Sequence, residues 1–129
     1  MTILALHHGS HNAIRERLEA LDLDLQIATF SDASTYTLNG EEIAAEEAEI
    51  DYLWLRTDIN TDGRDAVFNN VLKAKRIDVL QTFNAGLDHP FYASLAAKGT
   101  RICNSSAQGV AIAEFVFGQV LSILQPTAE

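Results

Sequence analysis

Two stretches of this sequence hold residues whose types and spacing could do chemistry. His7, His8 and His11 place three imidazoles within five residues, a set that could chelate zinc. No carboxylate or thiol nearby completes the ligands, so a polar loop facing a cleft is the simpler reading. The second stretch is Asn84-Ala85-Gly86-Leu87-Asp88. Gly86 permits an open backbone whose amides can point at a carboxylate, and Asp88 can bond back to its own loop. An ordinary tight turn is the plainer reading of the same five residues. Other candidates are weaker. Cys103 stands in the apolar run RIC with no base beside it, which suits a buried strand residue better than a nucleophile. Glu41, Glu42, Glu46, Glu47 and Glu49 read as the solvated face of a short helix rather than a catalytic pair.

Composition removes whole classes of function. With 47% hydrophobic and 21% charged residues over 129 positions, the chain has the make-up of one globular domain. Its net charge of −9 argues against nucleic acid or an anionic membrane as partner, since both require an excess of Lys and Arg. One cysteine cannot form an internal disulfide, which fits a reducing compartment. MTILALHH carries no signal-peptide pattern, and the apolar run over residues 110–124 is broken by Glu114, Gln119 and Ser122. A cytoplasmic location is expected.

The elements that must position these residues follow from periodicity. Apolar runs at Ile3–Leu6, Asp24–Phe30, Asp51–Arg56, Ile77–Phe83 and Arg101–Cys103 predict five strands. Helices are expected after Asn12 or Ser10, over residues 41–50, over 66–74, over 91–97 with Gly99 closing the last turn, and over 108–124 until Pro126. SDASTYTLNG reads as a polar turn. Alternating strands and helices predict an α/β fold: a flavodoxin-like, doubly wound five-stranded parallel sheet of order 2-1-3-4-5. Ligands of such sheets bind at the carboxyl ends of the strands, here residues 7–12, 30–34, 56–61, 84–90 and 104–109. The last helix is apolar around nearly its whole circumference. It is expected either to pair chains into a dimer or larger through residues 108–124, to pack on another domain, or to cross over the sheet.

The run VLQTFNAGLDHPFYASLAAKGTRICNSSAQGVAIAEFVFGQVLSIL, residues 79–124, resembles the end of the substrate-binding domain of D-isomer-specific 2-hydroxyacid dehydrogenases. The carriers are Ala85-Gly86-Leu87-Asp88 after a strand, Lys98-Gly99 before a short strand, Asn104 after it, and Ala113-Glu114 in the helix that connects to the next domain. The chain departs from the family at Ser106, where proline is usual. The resemblance implies that residues 1–106 form the substrate-binding domain. It implies that residues 107–129 lead toward a nucleotide-binding domain absent from this sequence, so that the chain is one half of an enzyme. It implies that the amides of Ala85, Gly86 and Leu87 bind the carboxylate of a small 2-hydroxy or 2-keto acid, with Arg56 and Thr57 shaping the pocket.

The family's NAD or NADP, and its catalytic Arg, Glu and His, would belong to the other half. None of the glycines at 9, 40, 63, 86, 99, 109 and 118 forms a Gly-x-Gly-x-x-Gly turn, so this chain alone is expected to bind no cofactor and to hold no catalytic residue. His89 falls in the carboxylate loop and is not the family's acid/base. The alternative is a stand-alone flavodoxin-like binding or receiver module. Its phosphate loop or acidic cluster is poorly served by HHGSHN, although Asp58 could stand for a receiver's aspartate.

Overall fold

The computed structural model describes residues 1–31, 33–56 and 63–125. Strand β1 (Thr2–His7) leads into helix α1 (His8–Ala20), and β2 (Leu25–Phe30) follows. Next come β3 (Thr35–Leu38), β4 (Glu41–Ala44), a 3-10 turn (Ala45–Glu47) and β5 (Glu49–Trp54). The remainder alternates: α2 (Arg64–Lys73), β6 (Arg76–Gln81), α3 (Pro90–Ala97), β7 (Arg101–Cys103) and α4 (Gly109–Leu124). The fold is α/β, with all seven strands in one mixed sheet of order β4-β3-β2-β1-β5-β6-β7. β2, β1, β5, β6 and β7 are mutually parallel, while β3 and β4 are added antiparallel beyond β2.

The expected sheet of five parallel strands is therefore corrected to seven mixed strands. The polar turn and acidic helix foreseen over residues 31–50 are instead a hairpin and a 3-10 turn. The cause is local. Asn39 and Gly40 both adopt positive φ, 53° and 80°, as the tight turn of a two-residue hairpin demands. Thr35-Tyr36-Thr37-Leu38 and Glu41-Glu42-Ile43-Ala44 then pair residue by residue, with Tyr36 opposite Ile43. Tyr36 is buried, and burial pushes its phenol well above the ordinary tyrosine value.

Register divides the sheet into two faces. Ala5, Leu53, Leu80 and Ile102 stand side by side across four strands. They join Val67, Phe68 and Val71 of α2 and Phe91, Tyr92 and Leu95 of α3 in one hydrophobic cluster. Phe68 is the hinge of that layer, stacked on Phe91 with centroids 4.1 Å apart and planes 7° from parallel. The opposite face carries Leu6, Trp54, Gln81 and Cys103 in one row. There α1 packs on β1 and β2.

Three further expectations change. The helix foreseen after Asn12 or Ser10 begins earlier, at His8, because the His7 imidazole caps it by accepting from the Gly9 amide at 3.3 Å. Cys103, read as buried, is exposed, because β7 is the border strand, three strands away from β1 on which α1 packs. α4 does not cross over the sheet: none of its residues is buried, and Phe115, Phe117 and Ile123 are among its exposed side chains. Among the described residues, no helix is long and apolar enough to cross a membrane.

Candidate functional site

The carboxyl ends of β5, β6 and β7 are stitched together beyond the strands themselves. Leu55 donates its amide to the Gln81 carbonyl at 2.9 Å, Thr82 to Cys103 at 2.9 Å, and Ser105 to Asn84 at 3.0 Å. Pairing then stops and the β6–α3 loop begins. A buried polar cluster holds its root. The Tyr92 hydroxyl, carried up by the first turn of α3, lies 3.0 Å from Thr82 Oγ1 and accepts from Asn84 Nδ2 at 2.7 Å. Thr82 and Tyr92 are both buried, where an unmade hydrogen bond would be costly. From the other side Asn104 Nδ2 donates to the Ala85 carbonyl at 2.7 Å.

These bonds hold the loop by its base and leave its amides open. Ala85, Gly86, Leu87 and Asp88 are all exposed, and their four N–H groups make no hydrogen bond within the described residues. Four successive unengaged amides on an anchored loop are a ready set of donors for an anion. Gly86 contributes differently from expectation. Its φ is not in the left-handed region, so the backbone does not demand glycine. A Cβ there would stand 3.2 Å from Asp88 Oδ1, so glycine keeps room for that carboxylate.

At the loop's root a hollow of about 680 Å³ is lined by Trp54, Arg56, Gln81, Thr82, Phe83, Ser105 and Gln108; Ala85–Asp88 are not among its lining residues. Arg56, half-buried, is the one charged group among these residues, and its guanidinium sits 5.7 Å from the Trp54 ring centroid. Stacking on an aromatic face holds an arginine in place. Trp54 and Arg56 also line a second hollow of about 340 Å³ against Ile14 and Leu18 of α1 and Leu21 just after it. The structure thus brings Arg56 and Phe83, the root of the Ala85–Leu87 loop, to one cleft. Thr57, the remaining site residue expected from the sequence, lies outside the described residues, as does Asp58.

The other chemical candidates are absorbed by the fold. His89 Nδ1 caps α3 by accepting from the Phe91 amide at 3.1 Å, and its ring meets Phe68 edge-on at 5.2 Å. His7 and His8 pack ring against ring at 4.5 Å. Among the described residues no group of three or more His, Cys, Asp or Glu side chains could hold a metal ion. Sequence reasoning missed Thr82 and Tyr92, because their partnership crosses ten residues and exists only once α3 packs on the sheet. Tyr92→Phe is expected to cost about 1–3 kcal/mol, since Asn84 Nδ2 and Thr82 Oγ1 lose a buried partner. Chemical denaturation measures that loss, and ¹⁵N relaxation should show lower order parameters over residues 84–88. An unchanged loop would show that the hydroxyl does not anchor it.

No family model, no curated protein and no solved structure matches this chain.

Proposed function

We propose that this chain is the substrate-binding domain of an NAD(P)-dependent 2-hydroxyacid dehydrogenase, with a flavodoxin-like arrangement of its five parallel strands. The observation that supports this reading is the run of four unengaged amides, Ala85–Asp88, beside a cleft whose charged lining residue is Arg56. In a chain of net charge −9, a positive group beside free backbone donors favours a small anion over a neutral ligand. The amides of Ala85, Gly86 and Leu87 hold the carboxylate of a small 2-hydroxy or 2-keto acid, while Arg56 and Thr57 shape the pocket. The nicotinamide and the acid/base pair come from a nucleotide-binding domain. Closing the two halves over the acid would exclude water and fix the geometry of hydride transfer.

The test is an amide-resolved NMR titration of the chain with pyruvate, and with acetone as the matched ketone lacking the carboxylate. Pyruvate is expected to shift the Ala85–Asp88 amides saturably, and acetone to leave them in place. Arg56→Gln should weaken pyruvate binding about tenfold, the worth of one charge-assisted hydrogen bond. Equal shifts with both ligands, or none at the loop, would defeat the proposal.

A further inference from the structure

Parallel sheets are normally covered on both faces. Here α2 and α3 contribute to the core on one face, and on the other α1 packs mainly on β1 and β2 and reaches Trp54 of β5. Among the described residues, no helix covers the remainder of that second face over β6 and β7. Leu4, Tyr52, Val79 and Arg101 form one row across it, and Leu6, Trp54, Gln81 and Cys103 the next. Leu6 is fully buried, but Tyr52 is 50% exposed, and Arg101 and Cys103 are exposed. The surface is concave: a hollow of about 500 Å³ is lined by Tyr52, Val79 and Arg101 together with Thr2, Asp51, Asp78 and Gly99, and a cleft farther along the strands is lined in part by Trp54 and Gln81. Three strands at a spacing of about 4.8 Å leave a strip roughly 10 Å wide. That is the diameter of one helix with its side chains, about 10–12 Å.

We propose that this strip seats α4 of a second copy of the chain, each copy lending its helix to the other. Four observations select that occupant. α4 is an apolar helix with no buried residue, and Val116, Phe117, Val120, Leu121 and Leu124 recur on one side at the spacing of a packing face. Its 16 residues make it roughly 24 Å long, close to the ~20 Å run of a six-residue strand. Its one charged residue, Glu114, stands at the margin of that side, and the strip has Arg17 and Arg56 on the α1 side and Arg101 on the β7 side, with Asp51 and Asp78 at the lower end of the hollow that Arg101 lines. Finally, α4 is not free to swing back onto its own sheet. Asn104, Ser105 and Gln108, all in the five-residue link before it, are hydrogen-bonded to the carbonyls of Ala85, Asn84 and Phe83.

Two reciprocal insertions of this kind bury on the order of 1,600 Å², the size of a standard stable interface. The inference shares Trp54, Gln81 and Arg56 with the cleft of the dehydrogenase reading, but its test reads the oligomeric state, whereas that reading is tested at the loop amides.

The experiment is sedimentation velocity of the full chain across a concentration series, with Tyr52→Glu in the strip and Val120→Glu on the helix. Both positions are exposed in the single chain, so both variants should fold, which circular dichroism verifies. The native chain is expected to be a dimer. Each variant should weaken dimerisation roughly 30-fold or more, the effect of losing a hot-spot residue. Cys103 should react slowly with a thiol reagent in the dimer and quickly on dilution. Glu114→Arg should weaken the dimer, and adding Arg101→Glu should restore it. A native monomer would overturn the proposal. So would a dimer broken by Val120→Glu yet indifferent to Tyr52→Glu, which would mean that the helices pair with each other instead.

Discussion

Phe68→Ala is expected to destabilise the chain by about 3–5 kcal/mol, the range for removing a large aromatic from a packed core. Phe68 is 4% exposed and touches every aromatic group of the α2–α3 layer. It stacks on Phe91, meets Tyr92 at 6.4 Å, and receives the edge of His89 and the Arg64 guanidinium, the latter 5.7 Å from its centroid. An alanine there leaves a cavity between two helices joined to the sheet by different strands, so neither can collapse without dragging its strand. Urea denaturation should show the loss as a lower midpoint with an unchanged slope. Phe68→Leu, which keeps most of the volume, should recover much of it. A loss below 1 kcal/mol for the alanine variant would mean that α2 and α3 do not share one core.

Asn70→Ala should cost about 2–4 kcal/mol, more than a surface asparagine could. Asn70 is 1% exposed, and its Nδ2 donates to the Ser31 carbonyl at 2.7 Å and to the Ala33 carbonyl. One side chain of α2 thereby closes the turn between β2 and β3. Without it the Ser31 and Ala33 carbonyls lose their partner in a part-buried turn, each costing about 1–3 kcal/mol. Asn70→Asp should be at least as harmful as alanine, because a carboxylate presents acceptors to two acceptors in a site with little water. Thermal unfolding distinguishes the two variants. If Asp is tolerated as well as Asn, the turn is held by something other than these bonds.

The sequence made some of this legible and hid the rest for definable reasons. The α/β class follows from hydrophobic runs separated by helical spacing, whereas the expected five-stranded parallel sheet gives way to a seven-stranded mixed one because β3 and β4 join it antiparallel. The apolar character of α4 was equally plain. The β3–β4 hairpin was missed although its signal was present: Asn39-Gly40 between Thr35–Leu38 and Glu41–Ala44 is a strong hairpin cue, overridden by counting glutamates as a helix face. Of the candidate site, Ala85–Leu87 and Arg56 were nameable from local pattern and resemblance. The Thr82–Tyr92–Asn84 cluster and the tether from Asn70 were not. Each joins elements through side chains that look ordinary in sequence and gain meaning only from tertiary placement.

The two margins of the sheet bear on how this molecule meets its own kind. On one side β4 is four residues long and opens with Glu41 and Glu42, both exposed. On the other, β7 is three residues long and opens with the exposed Arg101. Short, charged border strands offer a neighbouring backbone too few consecutive donors and acceptors to continue the ladder. Ribbon-like growth from sheet to sheet is thereby closed off at both borders. Concentrated solutions of the chain should accordingly form discrete particles of fixed stoichiometry rather than fibres, because the contacts left to it lie on faces and helices.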